Sequence, residues 1–321
     1  MTTSHSEERI ARAALTRLFE PGDTVGLALV AHYGPVEALR IATTSTPDSA
    51  YGFGDVTAEA LGQGLTRWRS TIPQLQPEKD LSTIGRLGGG FLIPGDEHWP
   101  AAINDLADAP VGLWYRGNIA LGIPAPDKSI TITGSRDCTS YGAAVTGDFA
   151  WSLAQRGITV LHGLAYGVDA AACRAALAGA SGKGPATIAV VAGGCDRIFP
   201  AGNAVLGDAI QANGLLLSEM PPGSAPTRQR FLARNRIMAA LAGVTCVVEA
   251  RYRSAALSTA RLAGSLGRAV AVVPGSISSA NSAGCHLLLK EGAASVATDV
   301  YDLEEMLGAQ SKDRPVAVGE E

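Results

Sequence analysis

From Lys128 onward the chain repeats one pattern: a short apolar or β-branched run, a break that contains glycine, then a helical stretch. SITITGS precedes YGAAVTGDFAWSLAQRG, ITVLHG precedes VDAAACRAALAG, and TIAVVAGG precedes NAVLGDAIQANG. LLLSE with LARNRIMAALAG, VTCVVEA with ALSTARLAGSLG, and AVAVVPG with CHLLLKEG continue the series. Strands that read as unbroken apolar runs are covered on both faces, and helices between them imply parallel crossovers. Such crossovers are right-handed, so the series predicts an α/β fold with a Rossmann-like, doubly wound, mostly parallel sheet.

The remainder is organised around that sheet. The first twenty or so residues read as a helix with an arginine-rich side, and VGLALVAHYGPVEALR as two short helices broken at Gly34-Pro35. The pattern predicts a small helical N-terminal domain over 1–72, then a linker and lead-in strand region over 73–127, with a strand at GGGFLIPG. The sheet domain spans 128–300, and a short C-terminal helix and tail occupy 301–321, with no winged helix expected.

Composition excludes several classes. With 46% hydrophobic and 17% charged residues the chain has the balance of a packed globular protein, not a disordered one. Cys138, Cys173, Cys195, Cys246 and Cys285 form no CxxC pair and are odd in number, so neither a disulfide frame nor a zinc site is expected. The polar start MTTSHSEERIARAAL is no signal peptide, and no apolar run spans a bilayer; a cytoplasmic protein without a membrane partner is expected. The net charge is −4, yet eight arginines face one acid, Glu249, between Pro226 and Arg268. A local basic face suits a polyanion, and equally a solvated helix surface.

In doubly wound sheets ligands gather beyond the carboxyl ends of the strands. There Gly134-Ser135-Arg136 follows the first strand: glycine lets a ligand approach the backbone, amides and the serine hydroxyl can cradle an anion, and Arg136 offers a fork of donors. The bland alternative is a tight turn with Arg136 paired to a carboxylate. In His162-Gly163-Leu164-Ala165, the glycine permits a close turn, His162 reads as structural, and Asp169 fits a helix cap as well as a contact. Gly193-Gly194 leads into Arg197, Phe199 and Asn203, where the ring either stacks a base or anchors the loop in the core. Arg234-Asn235-Arg236 opens a further helix, and Arg251, Arg253 and Ser254 extend the same rim. GxxxxGK[ST], GxGxxG with its distant acid, HExxH and GxSxG are all absent, so no catalytic residue, cofactor or metal is expected. Glu219 and Glu249, at strand ends, fit loop caps.

Taken in order, these motifs resemble the DprA family, also called Smf. The resemblance runs from His98-Trp99-Pro100, Asp108-Ala109-Pro110 and Arg116-Gly117-Asn118 through the GSR turn, Gly163 to Asp169, and Gly194 to Asn203. It continues through Ser218 to Gly223 and Phe231 to Arg236, and ends at Val273-Pro274-Gly275. It implies a protein that binds single-stranded DNA, forms a homodimer through the Rossmann-like domain, and loads a RecA recombinase in natural transformation, with a SAM-like N-terminal domain. By position it implies phosphate contacts from Gly134, Ser135, Arg136, Gly163, Gly193 and Gly194, and a charged contact at Arg197. It further implies stacking at Phe199 and contacts from Asn203, Arg234, Asn235 and Arg236. Cys173, His162, Ala255 and His286 depart from the family's usual histidine, small residue, glycine and asparagine.

Two other functions use similar loops. A nucleoside monophosphate phosphoribohydrolase of the LOG type carries PGGxGTxxE, whereas Pro274-Gly275 is followed here by Ser276-Ile277. A small-nucleotide sensor would bind one phosphate rather than a strand.

Overall fold

The protein is described over residues 5–312 of a computed structural model; residues 1–4 and 313–321 of the expected N-terminal domain and C-terminal tail lie outside that range. Four helices come first: α1 (Glu7–Leu18), α2 (Thr24–Tyr33), α3 (Pro35–Thr44) and α4 (Ala58–Trp68). Ser6, Asp23 and Thr57 cap α1, α2 and α4 by accepting from the amide three residues on, and Pro35 starts α3 without the need for a donor. Leu15, Leu29, Ile41, Leu61 and Trp68 close these helices around a core of their own.

Next come α5 (Pro77–Arg86), β1 (Gly89–Leu92) and β2 (Leu113–Gly117). Two of these differ from the sequence reading, which expected a linker with one strand. The region is rich in turn formers, but Pro77 sits at the first helical position, where proline is tolerated, and Leu81 and Ile84 give α5 a buried face. β2 escaped notice because it is short and has no crossover helix. It runs antiparallel to β1 and to a central strand, so the sheet gains an antiparallel edge. Trp114 on β2 is fully buried and donates from Nε1 to Thr16 Oγ1 on α1 at 3.0 Å, which ties the helical bundle to the sheet.

The βα series then follows as its pattern predicts: β3 (Ser129–Thr133), α6 (Ser140–Gln155), β4 (Thr159–His162), α7 (Val168–Ala178), β5 (Thr187–Val190), α8 (Ala204–Asn213) and β6 (Gly214–Ser218). After β6 a bent pair, α9 (Arg228–Ala233) and α10 (Asn235–Leu241), replaces the single expected helix, with the break at Arg234. β7 (Val244–Val247), α11 (Ala256–Ser265), β8 (Ala269–Val272), α12 (Ala283–Lys290), β9 (Ser295–Val296) and α13 (Val300–Lys312) complete the fold. The strand order is β1-β2-β6-β5-β4-β3-β7-β8-β9, parallel from β6 to β9.

Strand residues alternate between two covered faces, as a parallel sheet requires. Val160 on β4 meets α6 and α7, while Leu161 faces α10; on β6 Leu216 and Leu217 divide the same way. Polar β-residues under α10 are bonded: Ser129 Oγ donates to the Leu241 carbonyl at 2.6 Å and Thr131 Oγ1 to that of Met238 at 3.0 Å. These bonds satisfy carbonyls at the end of a short helix, which otherwise go unpaired. From β3 the chain winds outward to β6, then returns to wind the other way through β7. The strand order therefore reverses between β3 and β7, which is where such sheets open a crevice.

Candidate functional site

A groove of about 930 Å³ opens at that reversal. Its floor is the turn after β3 and the start of α10; its walls are the loop after β7 and the α9 segment. Gly134, Ser135, Arg136, Phe199, Arg234 and Asn235 all border it, so six of the twelve residues named from sequence converge on one cavity.

Phe231 is the centre of the arrangement. Arg136 lies over its ring at 5.3 Å and Arg234 at 5.7 Å, while the Phe199 ring stands 5.8 Å away at 59°. Phe199 is 51% exposed, which rules out the anchoring alternative. Five arginines line the groove: Arg251 is paired with Asp137 at 2.9 Å, while Arg136, Arg228, Arg234 and Arg253 have no salt bridge among the described residues. Elsewhere on the molecule Arg9, Arg17, Arg230 and Arg268 are paired with carboxylates. Guanidinium groups without a carboxylate partner, beside exposed Phe199 and half-buried Phe231, are the chemistry that grips phosphate and stacks on a base.

The loops under the groove are rigidly held. Glu249 accepts from the Thr139 amide at 2.8 Å and hydroxyl at 2.6 Å, and its carbonyl accepts from the Ser135 amide at 2.7 Å. Gly167, at φ 73°, lets the start of α7 abut the Ser135 carbonyl, to which Val168 donates. Buried Asp169 accepts from Thr133 Oγ1 and from the amides of Gly163 and Ala165. Burial raises its carboxyl above the ordinary range, opposed first by the charge of Arg234. His162 is fully buried; Nδ1 accepts from the Leu164 amide, and desolvation, aided by Arg234, lowers its pKa to about 3. A structural imidazole is what the sequence suggests.

Several sequence expectations are corrected here. The GSR turn is followed by a three-residue link, Asp137 to Thr139, to α6, which begins at Ser140 and is capped by Thr139. The Ser135 hydroxyl is bonded with Asp137 and its amide donates to the Glu249 carbonyl, so that amide is not free to cradle an anion. Arg236 is turned away and buried, 2.5 Å from Glu219 and 3.0 Å from Asp108. Asn203 lies buried under the 163–167 loop, donating to the carbonyls of Leu164 and Ala165. Gly163 is beneath the Arg234 guanidinium, and Gly193 and Gly194 pack under Pro222, Ser224 and Pro226, where the Gly194 amide donates to the Ser224 carbonyl. Arg197 is exposed on the neighbouring loop, outside the groove lining.

Phe231 and Arg228 also border the groove, although neither stands among the contact residues expected from sequence. Their signal was the three-residue spacing of Arg228, Phe231 and Arg234, which puts all three on one side of the α9 segment.

The fold and groove together define a Rossmann-like protein with an open, arginine- and aromatic-lined site at the switch point of its sheet. Residues 90–308 match the family described as DNA recombination-mediator protein A, and the chain belongs to that family. It is 38% identical over 319 residues to a putative DNA processing protein DprA of Mycobacterium tuberculosis, covering 95% of this chain and 77% of the relative. It is 40% identical over 198 residues to the DNA processing protein DprA of Streptococcus pneumoniae, covering 62% of this chain and 67% of the relative. The solved structure of the pneumococcal DNA processing protein A matches with a TM-score of 0.70 at 28% identity, covering 94% of this chain and 98% of that one. A DNA processing protein A from Helicobacter pylori, described for its single-stranded DNA binding mode, matches with a TM-score of 0.60 at 31% identity over 68% of this chain and 95% of that one. Among the described residues no group of metal-ligating side chains occurs, and no helix is long and apolar enough to cross a membrane.

Proposed function

We propose that the groove holds single-stranded DNA, and that the chain acts as a non-enzymatic DNA-processing protein which hands the strand to a RecA recombinase, as a homodimer. The observation that carries the reading is the Arg136–Phe231–Arg234 stack beside exposed Phe199. Two cations flank one ring and a second ring stands beside it, a repeat of charge and π-face that matches the repeat of phosphate and base in a strand. A duplex hides its base faces; a single strand presents them. The open length of the groove, with arginines from Arg136 to Arg253 along it, suits several linked phosphates better than one nucleotide.

In this reading Arg136, Arg228 and Arg253 contact phosphates, Phe199 and Phe231 stack bases, and Asn235 offers its buried amide at the floor. Gly163, Asn203 and Asp169 act through the loop they hold. The helical residues up to 72 form a SAM-like unit that α1 fastens to the sheet. Two carboxylates border the groove, but both are engaged in the scaffold: Asp137 is paired with Arg251, and Asp169 accepts from Thr133 Oγ1 and from the amides of Gly163 and Ala165. Photocrosslinking with a bromodeoxyuridine-substituted oligonucleotide tests the placement. Adducts are expected on peptides that contain Phe199 or Phe231. Adducts confined to the helical N-terminal residues would refute it.

A further inference from the structure

The groove continues past Arg253. After β7 the chain turns at Arg251–Ser254, where the Ser254 amide donates to the Arg251 carbonyl at 2.9 Å, and enters α11. Beyond that turn a second recess of about 430 Å³ opens over the outer side of α11. Arg253, Ser254 and Ser258 border both cavities, so the two share a rim. Tyr252 and Arg261 border only the outer one. Residues 254, 257, 258 and 261 recur at helical spacing, which gives this recess a single continuous floor.

The chemistry of the recess repeats that of the groove. Tyr252 is 64% exposed, Arg253 has no salt bridge among the described residues, and no acid lines the recess. Arg261 is half-exposed and reaches Glu291 at 3.1 Å, a surface contact that adds little and can be exchanged. We infer that a single strand leaving the groove crosses the Arg251–Ser254 turn and lays at least one further nucleotide here, with its base on Tyr252 and its phosphates beside Arg253 and Arg261. The inference rests on the single-strand reading of the groove and extends it: the footprint is longer than the groove, and the strand has a defined exit over α11. Pairing with a second copy through this patch is disfavoured on charge, because a two-fold contact would set the patch's arginines against their own copies.

Affinity for oligothymidylates of increasing length, measured by fluorescence anisotropy on the full chain, tests this. Tyr252→Ala and Arg261→Ala lie outside the groove and should leave the shortest bound oligonucleotides unaffected. For longer strands Tyr252→Ala should lower affinity roughly 5- to 150-fold, the range for loss of one base–aromatic stack. Arg261→Ala should reduce the salt slope by about 0.7 for long strands only. Tyr252→Phe, which keeps the ring, should behave as wild type. Length profiles of both alanine variants that superimpose on wild type, at unchanged thermal stability, would overturn the exit path while the groove reading stands. A change in sedimentation without a change in affinity would also overturn it, assigning the patch to self-association. Wild-type protein that does not tighten with length would remove both.

Discussion

The guanidinium group of Arg234 occupies the space that any side chain at position 163 would need. A Cβ on Gly163 would stand 2.0 Å from Nη1 and from Nη2 of Arg234, well inside contact distance. Nη1 in turn donates to the Val190 carbonyl and Nε to Asn235 Oδ1 at 3.2 Å. A buried cation is thus threaded between two βα-loops, with its face toward Phe231. Burial lowers its pKa, Asp169 opposes that shift, and Arg136 adds to it. A phosphate entering the groove would relieve the repulsion between the two arginines.

Gly163→Ala should therefore displace Arg234 and cost about 1–3 kcal/mol of stability, the range for overpacking a rigid site. Gly147→Ala is the matched control. Gly147 lies within α6 with nothing within 4 Å of its added Cβ, so the change should be neutral or stabilise by up to about 1 kcal/mol. Urea denaturation of both variants checks the contrast.

Arg136→Ala should weaken oligothymidylate binding by about 1.5–3 kcal/mol, as for a hydrogen bond to a charged group. The slope of log affinity against log salt should become shallower by about 0.7. Phe231→Ala should cost about 1–3 kcal/mol of binding. Anisotropy titrations at several salt concentrations separate the two, since only the arginine change should alter the slope.

Arg236→Ala makes the opposite prediction. Loss of this guanidinium leaves Glu219 buried without its partner and should destabilise the fold by about 3–5 kcal/mol. Affinity for single strands, measured where the variant is folded, should not change. The penalty should shrink as pH falls. Burial already raises the Glu219 pKa, and without Arg236 the carboxyl would take up a proton more readily.

His162 predicts a pH dependence of stability. Its folded pKa is near 3, below the unfolded value of about 6.5. Between these limits the unfolded chain binds the extra proton, so stability is full above about 6.5 and declines as pH falls toward 3. Asp169 and Glu219, whose pKa values are raised, contribute the opposite sign between the ordinary carboxylate value and their raised one, and so act within the same pH range. Comparing urea midpoints at pH 7.5 and 5.5 for wild type and His162→Asn isolates the imidazole. The wild-type decline should exceed that of the variant.

The sheet was legible because its strands are buried on both faces and read as short apolar or β-branched runs between helices, as TIAV and VTCV do; SITIT fits through its β-branched residues, with Ser129 and Thr131 bonded to α10 carbonyls. α5 and β2 were not legible, since Pro77 and the surrounding glycines disguise a helix start and β2 pairs without a crossover. The loops at the switch point were found by their position in the series, and Arg136 and Phe199 with them. What sequence could not resolve was which polar residues face the ligand and which face the protein. Arginine and asparagine are exposed by default, yet Arg236 and Asn203 are buried in the scaffold. Only the three-dimensional course of each loop separates Arg236, turned to Glu219, from Arg234 two residues earlier, turned to Phe231.

The central claim is that the switch-point groove holds successive links of a sugar-phosphate chain. It is tested most directly by comparing the affinity of the 321-residue chain for deoxythymidine monophosphate with that for oligothymidylates of increasing length. The account predicts weak binding of the mononucleotide and steady tightening with each added nucleotide until the groove and its exit are filled. Equal affinity for the mononucleotide and the longest strand would contradict it.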